Sequence, residues 1–164
     1  MSLEVSHKIT IEKTKNSKIS QVDFNNLPFG QVYTDHMLVC DYENGQWSTP
    51  KIVPYQNISL DPSAKIFHYG QSIFEGMKAY KDEQDAIWLF RPLDNQKRFN
   101  ISAKRLAMPE LPEAYFMEGL EALLLLEKDW IPTTKDSSLY IRPFMFASGN
   151  GFHASPSDKY KFII

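Results

Sequence analysis

Apolar residues recur at three- and four-residue intervals most clearly between Pro112 and Trp130. Phe116, Leu120, Leu123, Leu124 and Leu126 form one stripe, and Glu113, Glu118, Glu121 and Lys128 lie on the other side. That pattern predicts an amphipathic helix, ended by Pro132. A second helix is predicted to start at Pro92, a residue suited to the first helical position, and to end near Pro109. Its inner face is expected to hold Leu93, Phe99, Ala103 and Leu106. Tyr69 to Glu75 reads as a short helical piece stopped at Gly76.

Period-two segments fill much of the remainder. Gln31 to Asp41 reads as a strand, followed by Asn44-Gly45, a strong hairpin signal. Trp47 to Tyr55 returns as a second strand, which Pro50 and Pro54 make irregular or push to an edge. Met77–Tyr80 and Ala86–Phe90, joined by the polar run 81–85, predict a second hairpin. Ser137 to Ala147 predicts a further strand, 148–151 a flexible loop, and Lys159 to Ile164 a last strand. The chain stops at Phe162-Ile163-Ile164, inside that apolar strand, which reads as a truncation. Hairpins mixed with two or three helices, without βαβ alternation, imply an α+β domain with a largely antiparallel sheet and helices on one side. Residues 1–25, polar and Lys-rich, are assigned to a tail or first strand, and residues 26–164 to the domain.

Composition narrows the classes. Hydrophobic residues make up 43% and charged residues 23% of the 164, a globular balance. A formal net charge of −2 supplies no basic field for nucleic acid. No apolar run approaches a membrane span, and Met1 to Lys8 contains no signal-peptide core. The single cysteine, Cys40, excludes an internal disulfide and fits the reducing cytoplasm. His7, His36, His68 and His153 are scattered, so no metal site is expected. Neither a glycine-rich phosphate loop nor a Gly-x-Ser-x-Gly elbow is present.

Four segments carry more information: Phe29-Gly30-Gln31-Val32-Tyr33-Thr34-Asp35-His36-Met37, His68-Tyr69-Gly70-Gln71-Ser72-Ile73-Phe74-Glu75-Gly76-Met77-Lys78-Ala79-Tyr80, Phe90-Arg91-Pro92 with Asn95 and Arg98, and Leu139-Tyr140-Ile141-Arg142-Pro143. In this order they resemble the N-terminal, small-domain half of the branched-chain amino acid aminotransferases. Those are pyridoxal 5'-phosphate (PLP) enzymes of fold type IV, with the D-amino-acid-aminotransferase-like fold. The resemblance implies a homodimer that passes the amino group of leucine, isoleucine or valine to 2-oxoglutarate, forming 2-oxo acids and glutamate.

The same resemblance assigns roles. Arg98 matches the arginine on the cofactor phosphate; by itself it reads as a solvated helix arginine. Tyr140 and Arg142, two apart on a strand and so on one face, match the residues that meet the substrate carboxylates. Phe29, Tyr69 and Phe74 match walls of the side-chain pocket, although each reads equally as an ordinary core aromatic. Tyr69 and the loop 151–154 are implied to reach the neighbouring subunit's site. There Gly151-Phe152-His153-Ala154 departs from the family's Leu-Gly-Val, with Ala154 near the usual valine, which puts the rim's shape and the preference among the three amino acids in doubt. The Schiff-base lysine is implied to lie beyond Ile164, since neither Lys78 nor Lys97 matches it, so the chain alone is expected to be inactive. D-amino acid transaminase, aminodeoxychorismate lyase and a non-catalytic half-length binding protein are the alternatives.

Overall fold

Leu38, Cys40, Ile52, Met145 and Phe162 are each exposed by 1% or less, and all lie in strands. Their common face has to be covered, and that requirement organises the fold. The computed structural model describes residues 9–164, so the reading of Met1 to Lys8 lies outside the described residues. In chain order the elements are β1 (Thr10–Ile11), β2 (His36–Glu43), β3 (Gln46–Trp47), β4 (Lys51–Pro54), α1 (Lys65–Tyr69), β5 (Ser72–Phe74), β6 (Met77–Lys81), β7 (Ile87–Leu89), α2 (Pro92–Arg105), α3 (Glu113–Leu126), β8 (Leu139–Ile141), β9 (Phe144–Ala147) and β10 (Tyr160–Ile163).

The larger sheet runs β1-β4-β2-β10-β9-β5, with β3 extending the β2 hairpin, and only the β1–β4 pair is parallel. A smaller antiparallel sheet runs β7-β6-β8. The expected α+β class with a largely antiparallel sheet is therefore observed. Helices α2 and α3 cover one face of the larger sheet. Phe99 and Phe116 from the helices meet Phe162 from β10, with ring centroids 5.4 to 5.8 Å apart. The two long helices share that side, as expected. The five-residue α1 puts Ile66 into a second cluster on the opposite face, with Met37, Phe146 and Ile163. Both faces of β10 thus carry apolar residues, Phe162 on one and Ile163 on the other, while Lys161 stays partly exposed and pairs with Asp41. Among the described residues no helix is long and apolar enough to cross a membrane.

Several boundaries differ from the sequence reading for identifiable reasons. At the Asn44-Gly45 hairpin both residues take positive φ, 54° and 80°, as that turn requires. The strand expected from Gln31 starts only at His36. The expected helix over 69–75 is instead α1 ending at Tyr69. Gly70, at φ 64°, caps it and returns its N–H to the Ile66 carbonyl. Ser72, Ile73 and Phe74 then alternate exposed, buried, exposed as a strand. The strand expected over 137–147 is two: the fully buried Pro143 cannot donate to a ladder, so β8 joins the small sheet and β9 the large one. On α2 the inner face is rotated. Gln96, Phe99 and Ala103 are buried, while Leu93 and Leu106 are exposed.

Because the three phenylalanines fill the centre of the core, Phe116→Ala is expected to cost about 3–5 kcal/mol. Urea unfolding checks this, and an unchanged midpoint would remove the triad from its central place.

Candidate functional site

The two sheets meet where β5 passes into β6 through Glu75 and Gly76, and where β8 passes into β9 through Arg142 and Pro143. The Glu75 N–H donates to the Pro143 carbonyl at 2.8 Å, joining these crossovers. The Glu75 carboxylate points at α2 and is only 5% exposed. It accepts from Arg98 Nε at 2.6 Å, from an Arg98 terminal nitrogen at 2.7 Å, and from Asn95 Nδ2 at 2.9 Å. Asn95 and Arg98 are three apart on α2, one turn, so both reach the same acceptor. Burial acts against the Glu75 charge, but the bonds from Arg98 and Asn95 outweigh it and hold its pKa below the usual carboxylate value. The Glu75 bonds in turn hold Arg98 above its ordinary range.

Arg98 leaves this fork with its side chain 65% exposed. Of the five N–H groups on a guanidinium, the fork uses two and leaves three to face outward. They border an open cleft of about 570 Å³ lined also by Lys78, Tyr80, Phe90, Arg91 and Tyr140. Arg91 is paired with Asp94 at 2.5 Å. A cation fixed from behind by a buried carboxylate, with free donors on its open side, suits a phosphate dianion. The donors present fit a phosphate group such as that of PLP, which Arg98 would hold.

Tyr140 stands on the other side of the same cleft. Arg142 donates to the Tyr140 hydroxyl at 2.9 Å and lies 4.3 Å over the centre of the Phe74 ring. Phe29 meets Tyr140 edge-on at 5.2 Å. Four of the predicted residues, Phe29, Phe74, Tyr140 and Arg142, thus form one cluster, with the Arg98 cleft beside it. Gly76 makes this possible, since a Cβ there would sit 2.5 Å from the Tyr140 hydroxyl. Tyr140 and Arg142 also border a second cleft of about 430 Å³, along with Tyr33 and Tyr55, whose rings stack 5.1 Å apart. A hydroxyl and a guanidinium side by side match a carboxylate, and the surrounding rings match a hydrocarbon chain.

Tyr69 and Ala154 lie elsewhere. The Tyr69 hydroxyl donates to the Phe152 carbonyl, and the His68 ring meets Phe152 edge-on at 4.9 Å. Ala154 is exposed in the following turn, and neither residue lines the clefts around Tyr140.

Glu75, Asn95 and Gly76 were inside the quoted segments but carried no assigned role. A buried carboxylate is uncommon, and only the position of Arg98 one helix away explains it. His36 was read as isolated and is not. Its Nε2 accepts the Thr14 N–H at 2.8 Å, so the ring proton sits on Nδ1, bonded to Glu127. Burial pushes the Glu127 carboxyl above its ordinary pKa. Among the described residues no group of His, Cys, Asp and Glu side chains could hold a metal.

No protein-family model matches the chain. Branched-chain-amino-acid aminotransferase 2 of Bacillus subtilis is 46% identical over 157 residues, 95% of this chain and 43% of that protein. Branched-chain-amino-acid transaminase 1 of the same organism is 47% identical over 154 residues, 93% and 43% respectively. A probable branched-chain-amino-acid aminotransferase of Staphylococcus epidermidis is 45% identical over 98% of this chain and 44% of its own length. The chain therefore spans under half the length of the curated relatives it matches. Among solved structures, the Escherichia coli branched-chain amino acid aminotransferase superposes with a TM-score of 0.57 at 21% identity, over 79% of this chain and 38% of that one. The Thermobaculum terrenum aminotransferase in its PLP form gives 0.55 at 18%, over 79% and 38%. These two establish the fold.

The depressed Glu75 pKa has a definite sign. Its ionised form stabilises the folded chain fully above the unfolded value of about 4.3, and that contribution disappears as pH falls through the lower folded value. Glu75→Gln is therefore expected to be less stable than wild type at neutral pH, with the gap closing on acidification. Urea midpoints for both proteins across the acid limb check this; a constant gap would count against it.

Proposed function

We infer that the chain, a homologue of the branched-chain-amino-acid aminotransferases along nearly all of its length, is part of an enzyme that transfers the amino group of leucine, isoleucine or valine to 2-oxoglutarate with PLP. The observation that carries this reading is the Glu75–Arg98 fork bordering one cleft with Tyr140, whose hydroxyl accepts from Arg142, in a chain 46% identical to its Bacillus subtilis relative over 157 residues.

The geometry supports the following roles. Arg98 holds the cofactor phosphate, and Glu75 keeps the guanidinium from rotating away from it. Tyr140 and Arg142 receive the substrate carboxylates, the arginine being free at the rim to meet the distal carboxylate of glutamate. Phe29 and Phe74 close around the branched side chain and keep water from it, a burial worth on the order of 2 kcal/mol. PLP, when bound, supplies the electron sink that lets the amino group leave one carbon skeleton and join another. The lysine that bonds the cofactor is assigned to residues beyond Ile164, and the cytoplasm is its expected compartment. Tyr69 and the 151–154 loop, tied together through the Phe152 carbonyl, are assigned to the second site of a homodimer.

The test is leucine-dependent formation of glutamate from 2-oxoglutarate by the whole protein that carries this chain, supplied with PLP. No glutamate above background would overturn the reading. Arg98→Ala should weaken PLP binding roughly tenfold to a hundredfold, the loss of a charged hydrogen-bond pair, read from cofactor absorbance during dialysis. Arg142→Met should raise KM for glutamate more than for leucine, and an equal change in both would remove Arg142 from the distal carboxylate. The 164-residue chain alone, treated with PLP and borohydride, should gain no stoichiometric adduct in intact mass.

A further inference from the structure

Lys65 is a buried cation held by neutral oxygens. It is 6% exposed, and among the described residues no carboxylate lies within ion-pair distance. Its ammonium is surrounded by oxygens of one loop: Ser155 Oγ at 2.7 Å, the Ser155 carbonyl at 2.8 Å, the Pro156 carbonyl at 3.2 Å and the His153 carbonyl at 3.4 Å. An ammonium carries three donors and no acceptor, and burying it unpaired is costly unless dipoles converge on it. Here the dipoles come from His153, Ser155 and Pro156, within four residues of one loop.

The same residue holds the beginning of that loop. The Lys65 N–H donates to the Gly149 carbonyl at 2.8 Å, the Gly151 N–H donates to the Ser63 carbonyl at 3.0 Å, and Ala64 bridges Asn150. Lys65 thus grips the loop by its backbone at 149 and by its side chain at 153–156, while Tyr69, one turn further along α1, binds the middle at Phe152. Lys65 is the first residue of a helix of only five residues, and a cation at a helix N-terminus gains nothing from the helix dipole. Its placement is explained by the loop.

We propose that Lys65 is a positioning residue that fixes the 151–156 loop, and with it Ala154, so that the loop sets which substrate side chains fit. This rests on the aminotransferase reading, which assigns the loop to a substrate pocket. Without the ammonium, four oxygens would lose their common donor and the loop would open, leaving the Glu75–Arg98 and Tyr140–Arg142 groups untouched.

The test compares wild type, Lys65→Met and Lys65→Arg in the whole protein. Lys65→Met keeps the length and volume of the stem and removes the donors; Lys65→Arg returns cationic donors to the same oxygens. Amide hydrogen exchange over 152–157 should speed roughly tenfold to a hundredfold in Lys65→Met, the loss of hydrogen bonds to a charged group, and slow again in Lys65→Arg. In the same variant the ratio of kcat/KM for leucine over valine should move roughly tenfold, with PLP affinity unchanged. Faster exchange with an unmoved leucine-to-valine ratio would overturn the proposal, and so would unchanged exchange. Wild-type protein without any transamination would sink the aminotransferase reading instead, with the exchange data still deciding whether Lys65 holds the loop.

Discussion

The buried carboxylate of Glu75 is the contact on which the rest of the site depends. Its backbone N–H reaches Pro143 and its side chain reaches Asn95 and Arg98. One residue therefore joins the β5–β6 crossover, the β8–β9 crossover and helix α2. A buried charge must have partners, and at this place the partners belong to the three pieces of chain that a cofactor and a substrate would have to span. Arg98 needs Glu75 for orientation, and Glu75 needs Arg98 to remain ionised inside the protein. Neither works alone, which is why an exposed arginine stands in one fixed direction.

The two-sheet arrangement follows from the same junction. Pro143 ends one ladder and Gly76 leaves room for the Tyr140 hydroxyl at the other. A continuous strand from Ser137 to Ala147 would place Tyr140 and Phe144 in one sheet. The break turns β8 away, so Tyr140 and Arg142 face the cleft, while Met145 and Phe146 remain in the two apolar layers. Helices α2 and α3 then cover the large sheet and share their core with Met77, Ala79 and Ile141 of the small one. Its core is made of rings because Phe99, Phe116 and Phe162 fill the space between two helices and a pleated surface with few rotatable bonds.

Local pattern carried much of this. The α3 stripe, the Asn44-Gly45 hairpin and the β6–β7 hairpin were legible because each depends on residues close together in sequence. The helix assigned to 69–75 was misread because the apolar spacing of Tyr69, Ile73 and Phe74 fits a helix, whereas Gly70 ends one. The split at Pro143 was hidden for a different reason: which sheet a strand joins depends on distant partners. At the site, Phe29, Phe74, Tyr140, Arg142 and Arg98 came from family resemblance rather than from periodicity. Glu75, Asn95 and His36 were missed because their meaning lies in pairings across 20, 23 and 91 residues, which no window of sequence displays.

The exposed rings make sense only together with the charged anchors. Phe29 and Phe90 are each 78% exposed and Phe74 62%, a concentration of apolar surface that a solvated protein ordinarily avoids. Apolar contact is not directional, so these rings could not by themselves fix a ligand's orientation. The Arg98 fork and the Tyr140–Arg142 pair supply direction, and the rings supply area once something covers them. A molecule with a phosphate at one end and a hydrocarbon or carboxylate at the other would satisfy both at once. Binding only the folded form, it would stabilise that form by mass action, so the surface that is a liability in the empty chain becomes a source of stability in the occupied one.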